Sequence, residues 1–300
     1  MNVNADRGSL DEVRFERPDV NELSALGYMP VDMHFHTDHS DGKVTIHDAI
    51  RKAKKMSIGL AITDHNVISG SLQASETMEG AFIIPGIEIS ASDGPHVLVY
   101  FNSPRDLKDY YYNHIEKHKR KSPWLATYLE TEKIVDASDG YNCLVIAAHP
   151  YGYLLFNKGL QKCIDCEYLP TELLNRFDGV EVICGGMTRS LNLKAMKLAM
   201  NESKCFTGGT DGHLLSDLGN VVTCADAEDP GAFLEKVRSR KNVVVGLEKT
   251  SLSKIATGTV VMIKHSRYFF PAMRIHYEQN APRLMHYLDR TRRPRKPSGP

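Results

Sequence analysis

Residues 29–37, with the sequence Met-Pro-Val-Asp-Met-His-Phe-His-Thr, form a short apolar run that ends in two histidines. Side chains two residues apart on a β-strand point to the same face, so the imidazoles of His34 and His36 are expected on one side of the strand. A single cation can bind two imidazoles in that arrangement. The run therefore predicts a strand that ends at a metal site.

Six further runs rich in Val and Ile have a charged or metal-binding side chain at or near one end. They span residues 58–65, 82–88, 96–101, 144–149, 179–183 and 205–213. Helical patterns lie between several of them, as at residues 45–56 and 190–200. Strands alternating with helices predict an α/β fold of βα units around a parallel sheet. If such a sheet closes as a barrel, its strand ends converge on one rim, where barrel enzymes keep their active sites.

The chain is expected to have several parts along its length. Residues 1–29 form an N-terminal lead-in, and residues 30–219 form the barrel, with a basic, helical insertion at residues 103–141 that either covers the site or decorates the barrel. Residues 220–289 are expected to form a small C-terminal appended unit, a helix between two short strands. The tail at residues 290–300 is basic and rich in proline, which predicts disorder.

The charge balance argues against broad binding of the protein to polyanions. Lys and Arg together number 37, as do Asp and Glu, so the whole protein has no electrostatic case for covering nucleic acid or an anionic membrane. The N-terminus lacks a signal-peptide pattern, and every hydrophobic stretch is interrupted before 18 residues. A cytoplasmic protein without membrane contact is the expectation, and the oligomeric state stays open.

Nine histidines and acids, almost all at strand ends, are the candidate metal ligands. They are His34, His36, Asp41, His65, Glu88, His96, His149, Asp211 and His213. Any one of them alone would more often be a structural hydrogen-bonding group, but nine in such positions predict a metal centre. Imidazole and carboxylate together suit Zn, Mn, Fe or Co better than Mg or Ca. Nine ligands exceed the needs of one ion, so two or three divalent cations are expected, with Glu88 bridging a pair.

A multinuclear centre of this kind predicts hydrolysis, with phosphate esters as the best-suited substrates. Such a cluster lowers the pKa of a bound water and clamps the attacking and leaving oxygens of an in-line displacement. The candidate catalytic groups are the metal-bound water with Glu88 and Asp211, while Asp64 is expected to orient a ligand. Arg189 is a candidate phosphate-binding residue, or else part of a surface ion pair. His39 is a candidate general acid, or else faces solvent.

The chain resembles the polymerase and histidinol phosphatase (PHP) superfamily of metal-dependent phosphoesterases over about residues 30–219. The motifs that carry the resemblance are His34-Phe35-His36-Thr37, Ser40-Asp41-Gly42, Ile62-Thr63-Asp64-His65-Asn66, Gly86-Ile87-Glu88-Ile89-Ser90, His96-Val97-Leu98 and Gly209-Thr210-Asp211-Gly212-His213. The resemblance implies a distorted seven-stranded (β/α) barrel with a site for up to three metals. By analogy the three ligand sets are His34, His36, Glu88 and Asp211; Glu88, His96 and His149; and Asp41, His65 and His213. An aspartate at position 41 resembles the branch that includes small-molecule and nucleotide phosphatases.

Four functions remain open, and hydrolysis of a small phosphorylated metabolite or nucleotide is preferred among them. A nuclease acting on single-stranded nucleic acid is the main alternative; zero net charge and the lack of polymerase domains disfavour it, although the basic insertion and tail offer local phosphate binding. A metal-dependent amidohydrolase that cleaves a C–N or carboxylic ester bond uses the same water activation. A non-catalytic metal scaffold is disfavoured, because about four protein ligands saturate a structural site.

Overall fold

The structure, a computed structural model, describes residues 12–77, 80–152 and 158–292. Its strands are β1 (Val13–Arg14), β2 (Met29–Phe35), β3 (Gly59–Ile62), β4 (Ile83–Ser90), β5 (His96–Phe101), β6 (Cys143–Ala147), β7 (Gly179–Cys184), β8 (Cys205–Gly209), β9 (Val221–Ala225) and β10 (Asn242–Gly246). Its α-helices are α1 (Val20–Ala25), α2 (Ile46–Lys55), α3 (Ser69–Thr77), α4 (Pro104–Tyr110), α5 (Thr131–Ser138), α6 (Leu160–Asp165), α7 (Arg189–Asn201), α8 (Pro230–Arg238), α9 (Ser251–Ser266) and α10 (Phe269–Arg292). Of the tail at residues 290–300 that was expected to be disordered, residues 290–292 are helical and end α10, which corrects the prediction there. Residues 293–300 lie outside the described residues, as do residues 1–11 of the expected lead-in.

Seven strands, β2 to β8 in chain order, curl into the predicted distorted barrel. Neighbours in this series pair from β2 through β8. The chain just after β8 then returns to β2, since the amide N–H of His36 donates to the carbonyl of Gly212 at 2.9 Å. Phe35 and Gly212 form a parallel bridge at the same place. The α/β barrel fold predicted from the sequence is confirmed.

The parallel sheet expected from the sequence has one reversed strand, β5. This strand runs antiparallel to both β4 and β6, while β2 with β3, β3 with β4, β6 with β7 and β7 with β8 are parallel. Only residues 91–95 join β4 to β5. A parallel crossover needs a dozen or more residues, so this connection can only make a hairpin.

The helix α2 shows how local sequence fixes the elements around the barrel. The hydroxyl of Thr45 accepts a hydrogen bond from the amide of Asp48 and so caps the first turn. Ile46, Ala49 and Ile50 are buried at helical spacing against the barrel, and lysines occupy the last turn, where they stabilise the helix dipole. The helix predicted from residues 45–56 is present with these caps.

Residues 103–141 are helical only in part. The helix α4 continues into single turns of π-helix (Tyr111–Ile115) and 3-10 helix (Glu116–His118), and a non-helical stretch follows before α5. Arg120 in that stretch is paired with Glu278 of α10. The predicted insertion therefore contacts the C-terminal helices.

The segment after residue 219 continues the barrel sheet before it becomes helical. The strand β9 pairs antiparallel with β2, and β10 pairs with β9. Between them, α8 lies at the end of the barrel where strands begin, because Arg238 donates to the carbonyl of Cys143, the first residue of β6. Although α10 has 24 residues, neither it nor any other described helix is apolar enough to cross a bilayer.

Candidate metal centre

The nine predicted ligands meet at one rim of the barrel and are all buried, with exposures of at most 8%. Most of them follow the carboxyl end of a strand, as His149 follows β6 and Asp211 follows β8. His96 is the first residue of β5. Because β5 is antiparallel to its neighbours, its first residue lies at the rim where they end. We call these nine side chains the cluster.

The carboxylate of Glu88 lies at the centre of the cluster, with five imidazoles around it. Its Oε2 is 3.3 Å from Nε2 of both His34 and His36 and 2.9 Å from Nδ1 of His65, while its Oε1 is 3.0 Å from Nδ1 of His96 and 3.2 Å from Nε2 of His149. Such a carboxylate has the contacts that a bridging ligand between two cations needs.

Asp211 and Asp41 lie on two further sides of the same group of histidines. The Oδ1 of Asp211 is 3.2 Å from Nε2 of His36 and 3.6 Å from Nε2 of His34. The Oδ1 of Asp41 is 3.3 Å from Nε2 of His213, and its Oδ2 is 3.7 Å from Nε2 of His65. The cluster is thus a continuous array rather than separate pairs.

The donor set fits divalent cations. Nε2 of His34 and Nε2 of His36 lie only 3.1 Å apart, close to the separation of about 3.4 Å between two ligands of one tetrahedral zinc ion. Among the described residues, Nε2 of His96 is buried with no hydrogen-bond partner, a costly arrangement that a ligand would relieve. Three overlapping groups have ligand atoms within 4.8 Å of one another. They are His36, Asp41, His65 and His213; His34, His36 and Asp211; and His65, Glu88 and His96.

The electrostatics of the cluster favour negative carboxylates. Burial alone would raise the pKa of Glu88, but the imidazoles of His65 and His34 hold that pKa well below its ordinary value. The pKa of Asp211 is also well below its ordinary value despite burial, through His34 and His36. Burial lowers the pKa of His96 to about 3, so this imidazole is neutral, the form that binds metals.

Three acids outside the ligand set hold the cluster in shape. Glu181 of β7 places Oε1 3.0 Å from Nδ1 of His34 and accepts a hydrogen bond from the amide of His149 at 2.8 Å. Asp32 accepts bonds from the amide and hydroxyl of Thr210. Asp64 accepts bonds from Thr37 and Ser40, so it organises the loop that carries Asp41. The role of Asp64 in orienting a ligand stays a prediction.

The backbone is strained at two cluster residues. His149 has φ of 29° and Asp211 has φ of 47°, in the left-handed region that residues with a Cβ rarely adopt. Conformations of this kind cost about 1–3 kcal/mol each and persist where the surroundings impose them, often at functional sites. The fold therefore holds these two side chains in their orientation toward the cluster at a cost in stability.

The structure does not bring the two predicted substrate-binding residues to the cluster. Arg189 forms a two-pronged ion pair with Glu248 and lies over the ring of Phe15. His39 contacts the side chains of Ser69 and Gln73 on α3. Each finds its partners on the protein surface, and their contacts give no support to a substrate-binding role.

A chamber of about 540 Å³ lies between the cluster and α9. Its lining comprises Asp41, His65, His96, His149, Asp211 and His213 of the cluster, Lys254, Thr257, Gly258, Val261 and Met262 of α9, and Gly186 and Lys249. Lys249 is 3.2 Å from the carboxylate of Asp217 and donates to the carbonyl of Asp211, while Lys254 donates to the carbonyl of Met187. These two lysines were not predicted as site residues, because no local motif distinguishes them from surface lysines.

The sequence matches two family models. The model described as the PHP domain matches residues 32–185, and the model described as PHP-associated matches residues 189–242. The helices α9 and α10 lie beyond both matched segments.

A curated relative is the 5'-3' exoribonuclease Rnm of Salmonella typhimurium, which is 30% identical over 129 residues. That alignment covers 39% of this chain and 44% of the exoribonuclease, so the chain spans less than half of this relative.

Two solved structures share the fold. One is a two-domain protein of Bacteroides vulgatus that contains a predicted PHP-like metal-dependent phosphoesterase, with a TM-score of 0.54 and 17% identity over 78% of this chain and 68% of that one. The other is a lesion-specific endonuclease of Pyrococcus furiosus, with a TM-score of 0.54 and 14% identity over 72% of this chain and 57% of that one. With the barrel, the buried cluster and a family model that spans half of its length, the chain belongs to the PHP family of metal-dependent phosphoesterases and is a hydrolase.

Proposed function

We propose that the protein hydrolyses a small phosphorylated molecule of about nucleotide size, with the phosphate at the cluster. The observation that carries this proposal is the chamber of about 540 Å³ between the cluster and α9. Cavities of about 300–1,000 Å³ hold small-molecule ligands. A substrate of this size has room for a phosphate beside the histidines and a leaving group beneath α9.

We assign the cluster residues to three cation sites. His34, His36, Glu88 and Asp211 form the first set, Glu88, His96 and His149 the second, and Asp41, His65 and His213 the third. The contacts of Glu88 with histidines of all three sets support its assignment as a bridging ligand. Zn, Mn and Fe are the ions that best suit mixed imidazole and carboxylate donors.

Side chains that line the chamber would then bind and position the substrate. Divalent cations bound to the cluster would lower the pKa of a water and stabilise the negative charge of the phosphate. Lys254 lines the chamber and brings positive charge to its wall, which suits a phosphorylated substrate, whereas the charge of Lys249 is paired with Asp217. Val261 and Met262 give the wall at α9 an apolar surface that suits a nonpolar part of the leaving group.

A second candidate function is removal of nucleotides from the 5' end of a single-stranded RNA. The 30% identity with an exoribonuclease favours it, over an alignment of 129 residues. A strand end would have to enter the chamber under α9, whereas the volume of about 540 Å³ is in the range that holds a ligand the size of a mononucleotide. We therefore rank it behind the small-molecule reaction.

The test is a phosphate-release screen with Mn²⁺ or Zn²⁺ added. Mononucleotides, sugar phosphates and nucleotide bisphosphates are compared with 5'-labelled oligoribonucleotides and with amide and carboxylic ester substrates. We expect one small phosphate ester to have the highest kcat/KM. The His65→Ala variant should reduce that value by about 100-fold or more, which corresponds to about 2.7 kcal/mol of lost transition-state stabilisation.

His47→Ala is the matched control, because His47 is an exposed histidine on α2. It should retain the wild-type kcat/KM. Preferred cleavage of the oligoribonucleotides would support the exonuclease instead. Turnover of the amide or ester substrates alone would contradict both phosphoesterase readings.

A further inference from the structure

The helix α9 lies across the mouth of the metal centre. Thr257, Val261 and Met262 of this helix line the same chamber as the cluster histidines. The residues of α9 that are partly buried recur at helical spacing: Ser253, Lys254, Thr257, Val260, Val261, Lys264 and His265. One face of α9 is therefore docked on the body of the protein.

His265 near the end of α9 reaches the carboxylate of Asp41. Its Nε2 is 3.6 Å from Oδ2 of Asp41. The same carboxylate is 3.3 Å from Nε2 of His213 and 3.7 Å from Nε2 of His65. Three imidazoles from separate parts of the chain thus converge on Asp41.

These separations fit ligands of a shared cation. Two ligands of a tetrahedral zinc ion, each about 2.1 Å from it, lie about 3.4 Å apart. The distances from Asp41 to His213, His65 and His265 run from 3.3 to 3.7 Å. His36 lies within 4.8 Å of the same three residues, but it is assigned to the first cation. Asp41, His65 and His213 then supply three ligands, and one further imidazole completes a four-coordinate set.

The ring of His265 also contacts Trp124, the only tryptophan of the chain. The two rings are perpendicular with centroids 5.8 Å apart. The guanidinium of Arg267 lies 5.1 Å from the Trp124 ring, and the Tyr268 ring lies 5.5 Å from it. Trp124 is 8% exposed, so any displacement of α9 changes its surroundings.

We propose that His265 is a further ligand of the cation at Asp41, and that this bond fastens α9 over the chamber. Cation binding at Asp41 and docking of the helix are then one coupled event. His265 acts as a positioning residue, since it works through the cation and through α9. The inference rests on the metal centre proposed above and extends it to a helix outside both matched family segments.

The test follows the fluorescence of Trp124 in the full-length protein. The protein is treated with a chelator, dialysed and titrated with Zn²⁺, a diamagnetic ion, while bound zinc is measured by equilibrium dialysis and elemental analysis. Two variants are compared with the wild type. His265→Phe keeps an aromatic ring beside Trp124 but removes the ligand nitrogens, and His265→Ala removes the ring as well.

We expect zinc to shift the Trp124 emission in the wild type and in the His47→Ala control. In His265→Phe the shift should be lost, and one zinc site should bind at least about tenfold more weakly, while the other sites keep their affinity. His265→Ala should behave in the same way if it folds, which circular dichroism reports. If His265→Ala does not fold, the result for His265→Phe alone decides the test.

Two results would overturn the inference, and they are distinguishable from failure of the metal centre. One is an equal zinc affinity and an equal emission shift in His265→Phe and the wild type. The other is zinc binding by the wild type without any change in Trp124 emission. A wild-type protein that binds no zinc, manganese or iron would instead refute the proposed metal centre, and this inference with it.

Discussion

Glu181 joins two of the proposed cation sites without belonging to either ligand set. It lies behind His34, with 3.0 Å between its Oε1 and Nδ1 of that histidine, and its Oε2 accepts a hydrogen bond from the amide of His149. A carboxylate behind a histidine ligand fixes the ring orientation and makes the other nitrogen a better donor. Glu181 is 1% exposed, so water cannot take over these contacts.

We predict that Glu181→Gln weakens metal binding without removing a ligand. The amide cannot carry the negative charge that faces His34, so zinc affinity should fall about 10- to 100-fold. Competition of the protein with a fluorescent zinc chelator measures this affinity. Glu202→Gln, at the exposed C-terminus of α7, is the control and should bind zinc like the wild type. Equal affinities in the two variants would contradict the role given to Glu181.

The sequence identifies the proposed ligands better than the residues that surround them. His34 and His36 are recognisable because their spacing along one strand is local. Glu181 and His265 act through contacts made 147 and 224 positions away along the chain, with His34 and Asp41 respectively, and nothing local marks them. Arg189 has the chemistry of a phosphate ligand, but Glu248 satisfies it in the folded chain.

At the scale of elements, the barrel was predictable and the direction of β5 was missed. Continuous apolar runs are typical of strands covered on both faces, whichever way they run. Two features pointed to the reversal: the five residues 91–95 are too few for a crossover, and the proposed ligand His96 begins its run instead of ending it. No feature of the sequence predicted that α9 docks over the cluster, because its contacts are with residues far away along the chain.

Gly209 sets the distance between β8 and β2. A Cβ at this position would lie 2.4 Å from the backbone nitrogen and Cβ of His34, so Gly209→Ala must push the strands apart. We predict a loss of about 1–3 kcal/mol in the free energy of unfolding, measured in urea, and weaker zinc binding because His34 moves. Gly140→Ala, where a Cβ meets no atom within 4 Å, is the matched control. Wild-type zinc affinity in Gly209→Ala would refute this link.

The helix α8 closes the end of the barrel opposite the cluster. Phe233 is fully buried there and its ring lies 5.8 Å from that of Phe82. Phe233→Ala should lower the free energy of unfolding by about 3–5 kcal/mol, because it leaves a cavity, and should leave the metal content unchanged. Phe270→Ala on α10, where the side chain is 80% exposed, should change the free energy of unfolding by about 0.5 kcal/mol or less. Urea denaturation and elemental analysis test both statements.

At the scale of the whole molecule, the cluster ties the two ends of the barrel together. His34 lies on β2 and Asp211 follows β8, and these segments meet where the barrel closes at Phe35 and Gly212. The closure has few backbone hydrogen bonds, chiefly those between Gly212 and residues 34 and 36. Cations shared by His34, His36 and Asp211 would therefore stabilise this closure, which we call the barrel seam, as well as the site.

We predict that removal of the metals lowers the melting temperature of the protein. A cation at 100 times its Kd stabilises the folded state by about 2.7 kcal/mol, and a protein of 300 residues melts about 1.6 °C lower for each kcal/mol lost, so EDTA should lower the Tm by about 4 °C for each cation that it removes. Added Zn²⁺ should restore it. Glu88→Gln, which weakens the proposed bridge, should start from a lower Tm and respond much less to EDTA, whereas Glu202→Gln should respond like the wild type. A Tm unchanged by EDTA, in protein shown by elemental analysis to have lost its metal, would mean that the barrel seam holds without cations.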